Sequence, residues 1–269
     1  MDFSSLSHGP KIFYTIPIFG GINITQTTVT VLAVTVLLIT LSYFLTRKLT
    51  KRPGRMQVLV EKGVGMIYGL VEDTMGKHNL KFAPYIGTLF LSSLFGTLLG
   101  MTQIFRSATA DLSVTAAWAL VTTGLVWYNN IKNFGFKAWL KGFTEPIVVM
   151  TPMNIVSEIA QPIALAFRHF GNVAGGGVLT GLIYMALGGL TNVLFCWLPE
   201  VILSYIPPLL QIGIPAFLSI YFDLFSGFVQ ALVFSLLTMV YVGAACPPPE
   251  EIPERPKKKK KSKKAKEAN

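Results

Sequence analysis

An arginine stands inside a long apolar run, Glu158-Ile-Ala-Gln161-Pro-Ile-Ala-Leu-Ala-Phe-Arg168-His169-Phe-Gly171-Asn172-Val-Ala-Gly-Gly-Gly177. A guanidinium at mid-bilayer costs about 2.5–3.5 kcal/mol on insertion scales, so it is expected to face protein or water and to be kept for a task. The plainer reading is an arginine that snorkels to the headgroups. Apolar sequence continues for many residues on both sides, which puts an interface out of easy reach. Gln161, Arg168, Asn172 and Gly175 share one helical stripe, since offsets of seven, four and three residues are same-face spacings. Ala164, Gly171 and Ala174 to Gly177 border it with little side-chain bulk, which lets another helix slide close. Ordinary packing between fixed helices accounts for the glycines but leaves the guanidinium unexplained. His169 points about 100° away from Arg168 and is a further candidate. Its bland reading is a packed or hydrogen-bonded histidine.

Two acidic residues flank this cation. Glu158 lies ten residues earlier, about 15 Å along the axis at 1.5 Å per residue, toward the expected cytoplasmic entrance. Asp223 shares a stripe with Gly227 and Gln230 in the last apolar stretch. An intramembrane carboxylate must be paired, hydrated or protonated. Acidic groups on opposite sides of one arginine suggest two aqueous pockets that do not meet. The competing reading is a structural ion pair between Asp223 and Arg168. The chain offers no phosphate loop, no zinc-ligand spacing and no nucleophile with a base and orienter. Neither a bond-making site, a cofactor nor a metal site is therefore expected within it.

The elements that position these groups follow from hydropathy. Of 269 residues, 52% are hydrophobic and only 13% charged, and apolar runs of spanning length recur, which predicts an all-α polytopic membrane protein. Residues 1–26, with Gly9-Pro10, Pro17 and Gly20-Gly21, read as an extracytoplasmic loop or surface segment. Residues 27–246 read as one integral membrane domain, and 247–269 as a disordered cytoplasmic tail. Within the membrane domain, Thr27–Leu45 is a first span closed by Arg47, Lys48, Lys51, Arg52 and Arg55, which puts that end in the cytoplasm and the N-terminus outside. Met56–Met75 alternates apolar and charged residues at helical spacing and should lie on the membrane surface or against a partner. A hairpin follows, Phe82–Ile104 and about Leu112–Ile131, with Arg106 and Asp111 as a solvated pair in its outer loop. Two stretches of about forty residues, from about Thr151 and about Leu198, are twice as long as a 30 Å core requires, so each is strongly tilted or holds two short helices. Continuity through Arg168 favours tilt in the first, and Pro207-Pro208 and Pro215 favour bends in the second.

The net charge of +10 is not a nucleic-acid signature. Eight lysines and Arg255 oppose Glu250, Glu251, Glu254 and Glu267 beyond Cys246, so half of the excess sits in the tail, where it sets orientation or meets anionic headgroups. The bilayer is thus an expected partner and nucleic acid is not. Cys196 and Cys246 fall at opposite ends of a membrane helix, which argues against a disulfide.

Gln161-Pro162-Ile-Ala-Leu-Ala-Phe-Arg168-His-Phe-Gly171-Asn172 resembles the run into Arg-x-Phe-Gly-Asn of subunit a of F-type ATP synthases. Phe228-Val-Gln230-Ala-Leu-Val-Phe234-Ser-Leu-Leu-Thr-Met-Val-Tyr241 resembles that family's last-helix signature. The likeness covers about residues 25 to 245. It implies a transmembrane helix, an amphipathic helix, a hairpin and two long tilted helices against a rotating ring of c subunits, with peripheral-stalk b subunits and the rest of the F1F0 complex as partners in a bacterial plasma membrane. By resemblance Arg168 is the essential arginine, and Asn172 and Gln230 line the ion path beside it. The chain departs from the pattern where many members carry an acidic residue and it has Gly177, and where some have a histidine and it has Asp223. An independent channel or carrier, or a structural scaffold, is the alternative, and Na⁺ stands beside H⁺ as the coupling ion.

Overall fold

The computed structural model describes residues 12–17, 22–47, 49–102, 106–145, 147–194 and 220–251. Two short strands, β1 (Ile12–Ile16) and β2 (Ile22–Thr25), pair antiparallel, with Ile16 opposite Ile22 and an irregularity between Ile12 and Tyr14. Part of the expected loop or surface segment is thus strand, because Ile12, Tyr14 and Ile16 on one side and Ile22 and Ile24 on the other are good strand formers.

Among the described residues seven α-helices follow: α1 (Gln26–Thr46), α2 (Arg55–Met75), α3 (Ala83–Met101), α4 (Leu112–Phe134), α5 (Phe136–Gly142), α6 (Thr151–Leu194) and α7 (Ser226–Ala244). Thr25 caps α1 by accepting from the Thr28 amide, and Pro84 starts α3 where its missing N–H costs nothing. The helix α4 stops at Gly135, whose φ of +90° turns the chain while its amide closes on Ile131. Among the described residues four segments are long and apolar enough to cross a membrane: Gln26–Thr46, Lys77–Gly100, Val148–Thr191 and Ser226–Ala244. The remaining expected span, α4, has the length but less apolarity, and Thr115, Thr122, Thr123 and Asn129, which lower it, are turned into the protein. The stretch after Thr151 is a single 44-residue helix that runs through Pro162. At 1.5 Å per residue it is roughly 66 Å long, more than twice the hydrocarbon core, so strong tilt rather than two short helices is the outcome. Of the last stretch, a π-helical turn, Ile220–Phe225, leads into α7. Cys196, Pro207-Pro208, Pro215 and the lysine run lie outside the described residues.

Two apolar clusters hold the bundle. One joins Val71 and Met75 at the end of α2 to Ile86, Val126, Met239 and Val242, so the amphipathic helix is anchored by its last turn while Met56, Leu59 and Met66 stay exposed. The other gathers Leu89, Ala119, Leu165 and Ala166 about Phe234, which is wholly buried. The C-terminal end of α7 is tied down by amides rather than by packing alone: Asn79 and His78 reach the Cys246 carbonyl at 2.8 and 2.9 Å, and Asn133 donates to that of Ala245 at 2.9 Å. Cys246 itself is a buried free thiol.

Asp111 does more than stand opposite Arg106 in a loop. Its carboxylate caps α4 by accepting from the Ser113 amide at 3.0 Å and hydroxyl at 2.6 Å, and accepts from Thr27 of α1 at 2.6 Å. Partial burial pushes the carboxyl up, but the bonds from Ser113 and Thr27 and the nearby Arg106 outweigh it and leave it below the ordinary carboxylate range. Thr30 donates to the Arg106 carbonyl at 2.9 Å, so the segment ahead of α4 is stitched to α1 at two points.

Candidate functional site

The stripe expected on α6 exists. Arg168 and Asn172 lie on its exposed side, and Gln161 is half-buried beside them. Among the described residues Arg168 has no hydrogen-bond or ion-pair partner. A methyl group added at Gly171, Gly175 or Gly177 would meet nothing within 4 Å. Packing among the described residues therefore does not explain these glycines. Gly171 and Gly175 lie beside Arg168 on an open face of α6, while Ile163 and Phe167 turn toward the cleft against α4.

Asn172 bridges this face to the last helix. Its side-chain amide donates to Gln230 Oε1 at 3.2 Å and its carbonyl accepts from Ser226 Oγ at 2.8 Å. Gln230 is buried, and its Nε2 has no partner among the described residues. One turn before Gln230, Gly227 lies against Thr97 of α3 so closely that a Cβ there would fall 2.6 Å from the Thr97 Cγ2. That contact sets how closely α7 approaches α3. Asp223 sits in the π-helical turn ahead of α7, and its side chain is outside the described residues.

Glu158 is elsewhere. It lines a cavity of about 720 Å³ between α4, α5 and α6, with Asn130, Lys141, Glu145, Asn154 and Ser157. It also lines the adjoining apolar cleft of about 480 Å³ between α4 and α6. Its carboxylate accepts from the indole N–H of Trp127. Asn154 holds the loop beside the cavity by donating to the carbonyls of Phe143 and Glu145 at 2.9 and 3.1 Å. Neither Arg168 nor Gln161 lines these two cavities.

His169 takes the bland place among its two readings, in that it faces the core. It is fully buried, its Nε2 is hydrogen-bonded to Ser93 Oγ at 3.0 Å, and the rings of Trp118 and Phe234 lie at centroid distances of 6.0 and 5.1 Å. Ser93, Trp118, Ser226 and Trp127 were missed from sequence. Ser93 and Thr97 left a usable signal, two hydroxyls four residues apart on an apolar span. The tryptophans left none, since an indole on a membrane helix is ordinary.

The family model described as ATP synthase A chain matches residues 27–243. The chain belongs to that family. Among the relatives of this ATP synthase A chain, the sodium ion specific ATP synthase subunit a of Propionigenium modestum is 31% identical over 88% of this chain and 85% of its own length. ATP synthase subunit a 2 of a Bradyrhizobium species is 31% identical over 84% of this chain and 91% of its own, and ATP synthase subunit a of Moorella thermoacetica 29% over 83% and 91%. Membership makes this A chain an integral membrane protein and the ion-translocating stator component of an F-type ATP synthase. The readings of an independent carrier or a bare scaffold are not favoured.

Proposed function

We propose that this chain carries two offset ion half-channels, separated by Arg168, to and from the carboxylates of a c-subunit ring that docks on the open face of α6. The single observation that supports this reading is that face, an exposed guanidinium with no partner among the described residues, beside glycines on a spanning helix. Such a surface is unfavourable in lipid and is matched by a small-faced helix bearing an acid. The inner half-channel starts in the polar cavity at Glu158 and passes Gln161. The outer one approaches through Asp223, Gln230 and Asn172, with the charge carried at Asp223 because position 177 is glycine. A guanidinium keeps its charge throughout the physiological range, so it acts as a fixed cation and not as a proton carrier. It favours the ionised form of a carboxyl brought beside it by about 1.4–4 kcal/mol. The rotor acid releases its ion there and regains one in the other pocket, driven by about 2.3 kcal/mol per 100 mV for each charge. The ion-selecting ligands belong to the ring, so H⁺ and Na⁺ both fit this chain.

The b subunits of the peripheral stalk complete the stator around the single membrane domain of residues 27–246. The N-terminus lies outside a bacterial plasma membrane and the Lys-rich segment 247–269 inside, as the basic clusters after α1 and in the α4–α5 segment dictate. A cysteine placed at Ser107 in a cysteine-free chain is then labelled by an impermeant reagent from outside, and one at Ser262 from inside only. The reverse pattern rejects this topology. Reconstituted alone, the chain conducts no ions above empty liposomes, and conduction appears when a c-ring is added. Conduction by the chain alone would reject the shared path.

A further inference from the structure

We propose that the turn between α1 and α2 binds an anionic phospholipid, whose phosphate is held by Arg55 and the neighbouring Arg52 and whose acyl chain lies against Phe44, Leu45 and Met56. Arg47, Lys48, Lys51, Arg52 and Arg55 stand within nine residues, and no acidic residue occurs between Asp2 and Glu61. Arg47, Lys51, Arg52 and Arg55 are all exposed and, among the described residues, none of them forms an ion pair. Glu61, the first acid to follow, pairs with none of them; its carboxylate accepts from Gln57 Nε2 at 2.7 Å.

Orienting the first span needs only the number of these charges, whereas the turn that carries them is built. Gln57, in the first turn of α2, reaches back to Thr50: its Oε1 accepts from the Thr50 amide at 3.2 Å and its Nε2 donates to the Thr50 carbonyl at 3.1 Å. The Thr50 hydroxyl donates to the Arg52 carbonyl at 2.8 Å, and Pro53 stiffens the backbone that follows. Beside this closed turn lies a hollow of about 460 Å³, lined by Phe44 and Leu45 of α1, Thr50 of the turn, and Arg55, Met56 and Gln57 of α2. It offers a guanidinium and three apolar side chains, and no carboxylate.

That lining selects the ligand. A guanidinium fork matches two oxygens of one phosphate, and clustered basic residues draw anionic headgroups. A phosphocholine brings a cation of its own into a site already rich in cations, whereas a phosphatidylglycerol headgroup brings only negative charge. Inorganic phosphate makes no use of the apolar walls. A lipid does, and its chain has room to continue: Val36, Leu37 and Ile39 on α1 are exposed, as are Met56, Leu59 and Met66, which share one stripe of α2. The amphipathic helix is then held at both ends, by Val71 and Met75 in the bundle and by lipid at its first turn. Only the choice of leaflet rests on the proposed topology, which the labels at Ser107 and Ser262 test separately.

The test uses the assembled ATP synthase in phosphatidylcholine nanodiscs containing a small fraction of photoactivatable phosphatidylglycerol, with the crosslinked peptides mapped. The segment from Phe44 to Gln57 should be labelled about tenfold more by this probe than by photoactivatable phosphatidylcholine. Arg52→Gln combined with Arg55→Gln should remove the difference, while Arg47, Lys48 and Lys51 remain to orient the span. Lys257→Gln, Lys258→Gln and Lys259→Gln together remove more charge from the tail and should leave the labelling unchanged. Equal labelling of the unmodified protein by the two probes overturns the site without any variant. An equal loss in the tail variant overturns it in favour of a diffuse surface potential. Displacement of the probe by inorganic phosphate overturns the lipid as the ligand, and absence of labelling by either probe shows the turn covered by protein and overturns it too.

Discussion

Arg168→Ala should reduce ATP synthesis driven by ion flow to background, while passive leak through the membrane sector rises or stays measurable. The argument is electrostatic. With the cation gone, a rotor carboxyl passing α6 loses about 1.4–4 kcal/mol of preference for its ionised form, a tenfold to thousandfold change in the fraction that releases its ion. The barrier between the two pockets disappears with it, so an ion can cross without carrying the ring round. Because Arg168 is exposed and has no partner among the described residues, its removal leaves no buried group unsatisfied and the chain should accumulate normally. Synthesis and passive flux measured on the same vesicles separate loss of coupling from loss of protein. Normal synthesis would take Arg168 out of the mechanism altogether.

The second large effect is on assembly. Gly227→Val should lower the amount of chain in purified complexes several-fold. A Cβ at this position lands 2.6 Å from Thr97 Cγ2. Thr97 cannot turn aside freely, since its hydroxyl donates to the Ser93 carbonyl at 3.0 Å and is bonded to Thr109 at 3.1 Å. Overpacking of a tight contact costs about 1–3 kcal/mol, and loss of the two hydrogen bonds adds about 1 kcal/mol each. A shift of that size changes the abundance of a membrane protein without touching its chemistry. Thr97→Ala combined with Gly227→Ala should recover most of the loss, because the two changes share one contact and are not additive. Wild-type abundance of Gly227→Val would mean that α3 and α7 do not approach as described.

The sequence by itself determined which segments enter the membrane and which stripe of α6 carries the guanidinium. Hydropathy and the 3.6-residue period are local quantities, and a bilayer enforces both on any chain that must satisfy its backbone inside it. The same periodicity placed Asn172 with Arg168 and Gln230 with Gly227, and family resemblance joined the two stripes. Only the tertiary structure decided what each polar atom meets. Asn172 reaches Gln230 across 58 residues of chain, Ser93 reaches His169 across 76, and Thr27 reaches Asp111 across 84. No spacing rule within one helix encodes such pairs, because they depend on how far neighbouring helices rotate and slide, which tight contacts such as Gly227 on Thr97 set. That is why Asp111 looked like a loop charge and is also a cap, and why His169, one residue from the cation, is held in the core.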